Sequence, residues 1–345
     1  MFQNAELWLL RSLKSRKRWA RPTRKSSSPW ARRSCSNRSQ SESCRSTERS
    51  LVACCLRSCR EGRDFPTPGC LAFLFRRTAA LRLCHTEYSI DDMPQEILSL
   101  PPPPADLRIP YGAEKNQFID FRFPVCNTAV ALVVMIHGGF WRQRYDLTHA
   151  GHLCAAVTAS GLTTANIEYR RIGEPGGGWP GTFDDIQAAL QHAQRRHGNN
   201  KPALVVGHSA GGHLGLWVAT RDQDLAAIIA LAPVSCLRTA WRRRLGDGAV
   251  ADLLGGSPDD VPDRYLFGCP SQQSTRVPRI LIHGTGDDIV PLDLSREYLT
   301  ARTVESDMVR LIELPGADHF DLIDPRSASW RTVLTEIKNA ANASS

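Results

Sequence analysis

The amino-acid sequence predicts an α/β architecture: a mostly parallel β-sheet covered on both faces by helices, with a small insertion over the sheet edge. Three observations predict it. Apolar runs of strand length alternate with segments of helical length and patterning. The central runs, Ala129–Ile136 above all, are apolar without interruption, as strands buried on both faces read. Several of these runs end in glycine-bearing turns, and the next segment starts from them, as in Leu204-Val205-Val206-Gly207.

Taken in order, Pro101 to Pro104 form a stiff lead-in with no helix or strand potential. Asn116 to Phe123 sets Ile119, Phe121 and Phe123 against Asp120 and Arg122, the alternation of an antiparallel edge strand. The Ala129–Ile136 strand follows and ends in His137-Gly138-Gly139-Phe140-Trp141. Leu147 to Ser160 reads as a helix closed by Gly161, and Leu162 to Tyr169 as a strand. After a Gly/Pro loop, Thr182 and Asp185 have capping-box spacing for a helix reaching His197. Ala203–Val206 is the next strand, with a helix from Ser209 to Ala219 behind it. Leu225–Leu231, Arg279–Ile282 and Val309–Leu314 complete the strands; Leu292–Thr303 and Ser327–Asn342 complete the helices. Between Val234 and Pro278 the pattern breaks into short helical pieces, read as the insertion.

Charge divides the chain. Residues 1–92 hold 19 Lys/Arg and 8 Asp/Glu, a net of +11; the remainder holds 24 and 27, a net of −3, giving +8 for all 345 residues. The basic balance therefore belongs to the N-terminal segment and implies nothing about partners of the rest. That segment is rich in Arg, Ser and Cys, with few periodic apolar positions, so no packed core is expected of it. A mitochondrial-type presequence, a nucleic-acid arm and a non-native extension all fit it. The extension is preferred, because globular patterning begins just after Met93. The expected domain is thus 93–345, with its insertion at about 234–278. Seven of the eleven cysteines precede residue 93, and Cys126, Cys154, Cys236 and Cys269 show no paired spacing. They read as free thiols of a cytoplasmic protein. No apolar run approaches membrane-spanning length.

The chemistry centres on Gly207-His208-Ser209-Ala210-Gly211, a G-x-S-x-G nucleophile elbow directly after a strand. A serine hydroxyl is a weak nucleophile; it needs a base, and the base needs an orienting acid. In open α/β sheets reacting groups gather at the carboxyl ends of strands. Asp287 follows one strand in Gly286-Asp287-Asp288-Ile289-Val290-Pro291, and His319 follows another in Ala317-Asp318-His319. Ser209, Asp287 and His319 therefore form a candidate triad in the chain order this architecture uses. The His137–Trp141 turn supplies candidate oxyanion donors, the Gly139 and Phe140 amides, joined by that of Ala210.

From Pro94 onward the chain resembles an α/β-hydrolase. Its H-G-G-x-W and G-H-S-A-G-G motifs are similar to those of the small esterase and kynurenine formamidase (arylformamidase) branch. That resemblance implies Ser209 as nucleophile, Asp287 as acid, His319 as base, and Gly139 and Phe140 as oxyanion donors. Phe140 stands where the hormone-sensitive-lipase branch has a third glycine, which argues against that branch. The implied activity is hydrolysis of a small carboxylic ester, or alternatively of an aryl formamide. A serine exopeptidase of the prolyl-oligopeptidase type lacks its recognition domain here, and a non-catalytic binding protein would not need all three side chains.

Other residues have blander readings. Asp288 is an alternative acid, but the D-x-x-V-P register favours Asp287, and Asp318 reads as a solvated loop carboxylate. His137 and His283 read as hydrogen-bonded structural histidines, and His208 as packing beneath the serine. Trp141 and Trp179 fit pocket lining or plain packing equally. Arg242-Arg243-Arg244 reads as a solvated face. Gly176-Gly177-Gly178 lacks the lysine and Ser/Thr of a phosphate cradle. Cys54-Cys55 with Cys59 lacks the further ligands of a metal site. No cofactor, metal, nucleic acid or membrane is expected; a small ester or amide is the expected partner, with oligomeric state left open.

Overall fold

A computed structural model describes residues 97–125, 131–198, 201–303 and 307–343. Contacts divide the chain into Met1–Ser89 and Ile90–Ser345. The expected N-terminal extension, with its seven cysteines and Met93, lies outside the described residues, as do Cys126 and Ala129–Val130.

Eight strands form one sheet: β1 (Leu107–Pro110), β2 (Phe118–Arg122), β3 (Leu132–Ile136), β4 (Thr163–Ile167), β5 (Ala203–His208), β6 (Leu225–Leu231), β7 (Arg279–Gly284) and β8 (Val309–Leu314). Their spatial order is β1-β2-β4-β3-β5-β6-β7-β8. The pairs β1/β2 and β2/β4 are antiparallel, and every other pair is parallel. The uninterrupted apolar runs are explained by the two layers. Along β3, Leu132, Val134 and Ile136 enter one core cluster, while Val133 and Met135 enter the other. Strands β5 and β6 alternate in the same way.

Helices α1 (Gly151–Ala159), α2 (Gly181–His197), α3 (Ala210–Val218), α4 (Leu237–Arg242), α5 (Leu245–Leu254), α6 (Pro262–Gly268), α7 (Asp293–Thr303) and α8 (Trp330–Ala343) cover the sheet. The cluster containing Val133 takes Leu153 and Val157 of α1 and Val333 and Ile337 of α8. The cluster containing Val134 takes Ile186 of α2, Leu214 of α3 and Leu294 of α7. No helix among the described residues is long and apolar enough to cross a membrane.

Two expectations need correction. The strand at 116–123 is antiparallel but not at the edge, because β1 pairs outside it. Asp120 and Arg122 are consequently buried: Arg108 of β1 donates to both Asp120 oxygens, at 2.6 and 2.7 Å, and Arg122 donates to the Pro103 carbonyl. Second, Thr182 and Asp185 do not form a capping box. The Thr182 hydroxyl accepts from the Gly178 amide and donates to the Arg170 carbonyl. Asp185 is buried and receives the Arg170 guanidinium and amide and the Gln117 side chain. A buried carboxylate gains more from a guanidinium than from one neutral amide. The insertion links β6 to β7, as expected over the rim of the sheet. It reaches back across the carboxyl ends of the inner strands, where Arg142 after β3 donates to the Gly246 and Asp247 carbonyls. Trp179 after β4 donates its amide to Leu253.

Candidate active site

The turn from β5 to α3 is forced tight by two contacts. A Cβ on Gly207 would lie 2.3 Å from the Gly211 carbonyl oxygen, and one on Gly211 would lie 2.0 Å from that of Ile136. Strand and helix approach so closely that only glycine fits. Ser209, between them, adopts φ 56° and ψ −117°, a conformation costing on the order of 1–3 kcal/mol. Three backbone bonds hold it there: its amide donates to Leu231, and its carbonyl accepts from His213 and Val234.

The loop after β3 is equally unusual. Gly139, Phe140 and Trp141 all have positive φ, at 102°, 50° and 56°. Its shape is fixed by the Arg142 amide donating to Gly139 O and the Ile172 amide donating to Trp141 O at 2.7 Å. The loop also lies against the elbow: a Cβ on Gly138 would be 3.0 Å from Ser209 Cβ. Among the described residues, the amides of Gly139, Phe140 and Ala210 donate to no protein acceptor. Trp141 is fully buried, edge-on to His213, so it packs the core and does not line an open pocket. Trp179 is half-buried, edge-on to Phe183.

Asp287 and His319 meet directly. His319 Nδ1 donates to Asp287 Oδ2 at 2.6 Å, and Asp287 Oδ1 accepts from the Ile289 and Val290 amides at 2.9 and 2.8 Å. Burial of Asp287 would raise its pKa. Hydrogen bonds from His283 and His319, the His319 charge and the Val290 amide outweigh that and hold the carboxyl well below its usual range. Asp288 is exposed. Asp318 accepts from the Phe320 and Asp321 amides, shaping its own loop. Ser209 and His319 are both buried, yet the hydroxyl and imidazole do not hydrogen-bond among the described residues. What joins the two loops is His208, whose ring packs 4.6 Å from that of His319. Such contacts commonly tighten only when substrate binds.

His283 lies within 3.3 Å of Asp287 Oδ2, donates Nε2 to the Val290 carbonyl and accepts from the Ser295 hydroxyl. His137 faces Gly138 O and Glu168 Oε1. Glu168 also takes the Leu147 and Tyr169 amides, which ties the end of β4 to the loop after β3. The sequence reading missed Glu168 and His149, because a Glu or His inside an ordinary strand or helix pattern carries no local signal. The arginine run is solvated, with Arg243 paired to Asp293 at the surface. Gly177 is needed for a tight turn, since a Cβ there would meet the Arg171 carbonyl at 1.8 Å. Cys154, Cys236 and Cys269 are free and buried.

A family model described as BD-FAE matches residues 120–301. Esterase LipC of Mycobacterium tuberculosis is 25% identical over 244 residues, covering 63% of this chain and 60% of its own length. The chain thus spans less than two thirds of that esterase. A kynurenine formamidase of Salmo salar is 21% identical over 231 residues, covering 63% of this chain and 76% of its own. Among solved structures, the chain is similar to a truncated carbohydrate esterase from gut microbiota (TM-score 0.59, 17% identity, 69% of this chain and 99% of that one). It is also similar to an inhibited esterase B from Lactobacillus rhamnosis (TM-score 0.60, 16% identity, 81% and 96%). Structural likeness at such identities speaks for the fold alone.

Proposed function

The chain belongs to the BD-FAE family and has the α/β-hydrolase fold, and on that premise we propose that it is a serine hydrolase of small carboxylic esters. Ser209 attacks the acyl carbon. His319 takes its proton through Nε2, because Nδ1 is held by Asp287. The amides of Gly139, Phe140 and Ala210 receive the developing oxyanion, where loss of one donor typically costs about 3 kcal/mol. His319 then returns the proton to the leaving alcohol, and water hydrolyses the acyl-enzyme by the same route.

The observation that carries this reading is the 2.6 Å Asp287–His319 bond at the rim that also holds a strained serine and three undirected amides. The similarity to esterases supports ester chemistry, and the similarity to a kynurenine formamidase supports a second reading, hydrolysis of an aryl formamide. Both use the same parts. A p-nitrophenol burst from p-nitrophenyl acetate, with stoichiometric fluorophosphonate labelling of Ser209 and loss of both in Ser209→Ala, is expected. An unlabelled wild-type protein would refute the reading. The ratio of kcat/KM on short aryl esters to that on N-formylkynurenine separates the two substrates.

A further inference from the structure

A chain of buried imidazoles runs beneath the site. His149 Nε2 lies 2.7 Å from His208 Nδ1, and His208 Nε2 lies 2.9 Å from the His319 carbonyl oxygen. The direction of the hydrogens follows from the last link. A carbonyl only accepts, so His208 Nε2 carries a hydrogen and donates it. In the neutral ring His208 Nδ1 is then an acceptor, and His149 Nε2 must be the donor. His149 Nδ1 is left as a bare lone pair, buried and without a partner among the described residues. Both rings are held neutral: burial first, then neighbouring imidazole charge, pulls His208 well below its ordinary pKa and His149 down to about 3.

Each link sits on a different segment of the site. His149 lies in the 3₁₀ turn after the glycine loop, His208 precedes Ser209, and His319 follows β8. The chain presses on the glycine loop too, since a Cβ on Gly138 would stand 3.0 Å from His208 O and 3.1 Å from His149 Nε2. Phe320 closes the stack, its ring 5.3 Å from His319 and 6.2 Å from His208.

We infer that His208, with His149 behind it, is a positioning residue for the base: its Nε2–H fixes the His319 backbone while Asp287 fixes the His319 ring. Two anchors, one on the backbone and one on the ring of the same residue, leave the imidazole little freedom to swing its Nε2. His208 cannot itself serve as the base, because both of its nitrogens are committed and its Nε2 hydrogen points to an amide oxygen that cannot pass it on. A displacement of about 1 Å at a reacting group costs roughly a hundredfold in rate. Loss of the anchor should therefore appear in kcat and spare KM.

The inference rests on the proposed hydrolase reading, and its test separates the two. His208→Phe keeps a buried ring and removes the donor; His208→Gln restores an N–H near the Nε2 position. Steady-state hydrolysis of p-nitrophenyl acetate and the rate of fluorophosphonate labelling are measured on wild type and both variants, with thermal midpoints alongside. The expected result is a roughly hundredfold fall in kcat for His208→Phe, KM within about twofold, and recovery of about tenfold or more in His208→Gln. An active wild type with His208→Phe near wild-type kcat, or with the two variants equally impaired, overturns the inference alone. An unlabelled, inactive wild type removes the hydrolase reading and the inference with it. Should neither variant fold, ¹⁵N shifts of the wild-type imidazoles decide: His208 and His149 must both be neutral Nε2–H tautomers, and a charged or Nδ1–H His208 at neutral pH refutes the chain.

Discussion

Asp287→Asn exchanges one carboxylate oxygen for an amide nitrogen with almost no change in volume, so it isolates the chemistry of the acid. In the native site Oδ1 serves the Ile289 and Val290 amides and Oδ2 serves His319 Nδ1. An asparagine has one accepting oxygen. If it stays with the two backbone amides, the side-chain NH₂ faces His319 Nδ1, which can then only accept. The imidazole is driven to carry its hydrogen on Nε2 and cannot take a proton from Ser209. The same exchange in the serine-protease triad lowers kcat by about 10⁴, the magnitude we carry over. At 1.36 kcal/mol per tenfold this is about 5.4 kcal/mol of lost transition-state stabilisation. If the amide turns round instead, two backbone donors lose a charged acceptor, at roughly 1.5–3 kcal/mol each in stability, and the loop loosens. The assay is therefore double: kcat on p-nitrophenyl acetate and urea unfolding of the same sample. Asp288→Asn, at an exposed position, is the control and should leave both within error. A folded Asp287→Asn with kcat within tenfold of wild type would refute the assignment of the acid.

The remaining expectations follow from the same geometry. The folded-state pKa of Asp287 lies below its ordinary value of 3.8, so its stabilising contribution is present above that pH and is lost as pH falls below it; Asp287→Asn should flatten the acid limb of the stability–pH curve measured by urea titration. Gly211→Ala forces a Cβ to within 2.0 Å of Ile136 O and should cost upward of about 3 kcal/mol or abolish soluble expression. Gly215→Ala, four residues on in the same helix, meets only ordinary contacts at 3.4 and 3.5 Å and should hold or raise stability, by up to about 1 kcal/mol, read as an unchanged or higher thermal midpoint. Glu168→Ala strands the Leu147 and Tyr169 amides and uncovers His137 and Arg171, so chemical denaturation should show a loss of about 3–5 kcal/mol.

Legibility in the sequence tracked how locally each feature is encoded. The strands buried on both faces were readable because two faces of core leave no room for polar residues, so β3, β5 and β6 stand out without neighbours. The tight turn was readable because Gly207 answers to a local demand, the Gly211 carbonyl four residues on, although Gly211 itself answers to the distant Ile136 carbonyl. Strand β1 escaped because Leu-Arg-Ile-Pro is short and ends in proline, which only an edge strand tolerates; it exists because β2 offers it a partner. With β1 hidden, Asp120 and Arg122 looked like a solvent face, although Arg108 and the Pro103 carbonyl supply what burial demands. Asp185 misled for the converse reason. Its spacing from Thr182 fits a local cap, and a long-range guanidinium outcompeted the backbone amide.

The same reasoning explains why substrate choice was the least readable part. The glycine loop has a fixed backbone, but its half-buried Phe140 side chain takes its position from the insertion. A Cβ on Gly246 would stand 2.5 Å from Phe140 Cγ, so ring and turn are in van der Waals register. Gly246 belongs to a left-handed run with Arg244, Asp247 and Gly248, and Arg142 holds that run through two carbonyls and through Asp252. The insertion is tied down at its far end as well, where His213 and Trp217 of α3 donate to the Gly268 and Phe267 carbonyls. Residues 104 positions apart thus shape one wall beside the proposed oxyanion site. Gly246→Val, which pushes on the Phe140 ring and is strained at φ 60°, should accordingly shift the ratio of kcat/KM between short and bulky acyl esters while Ser209 labelling persists. Unchanged selectivity in a folded Gly246→Val would sever the insertion from substrate choice and leave Phe140 a packing residue.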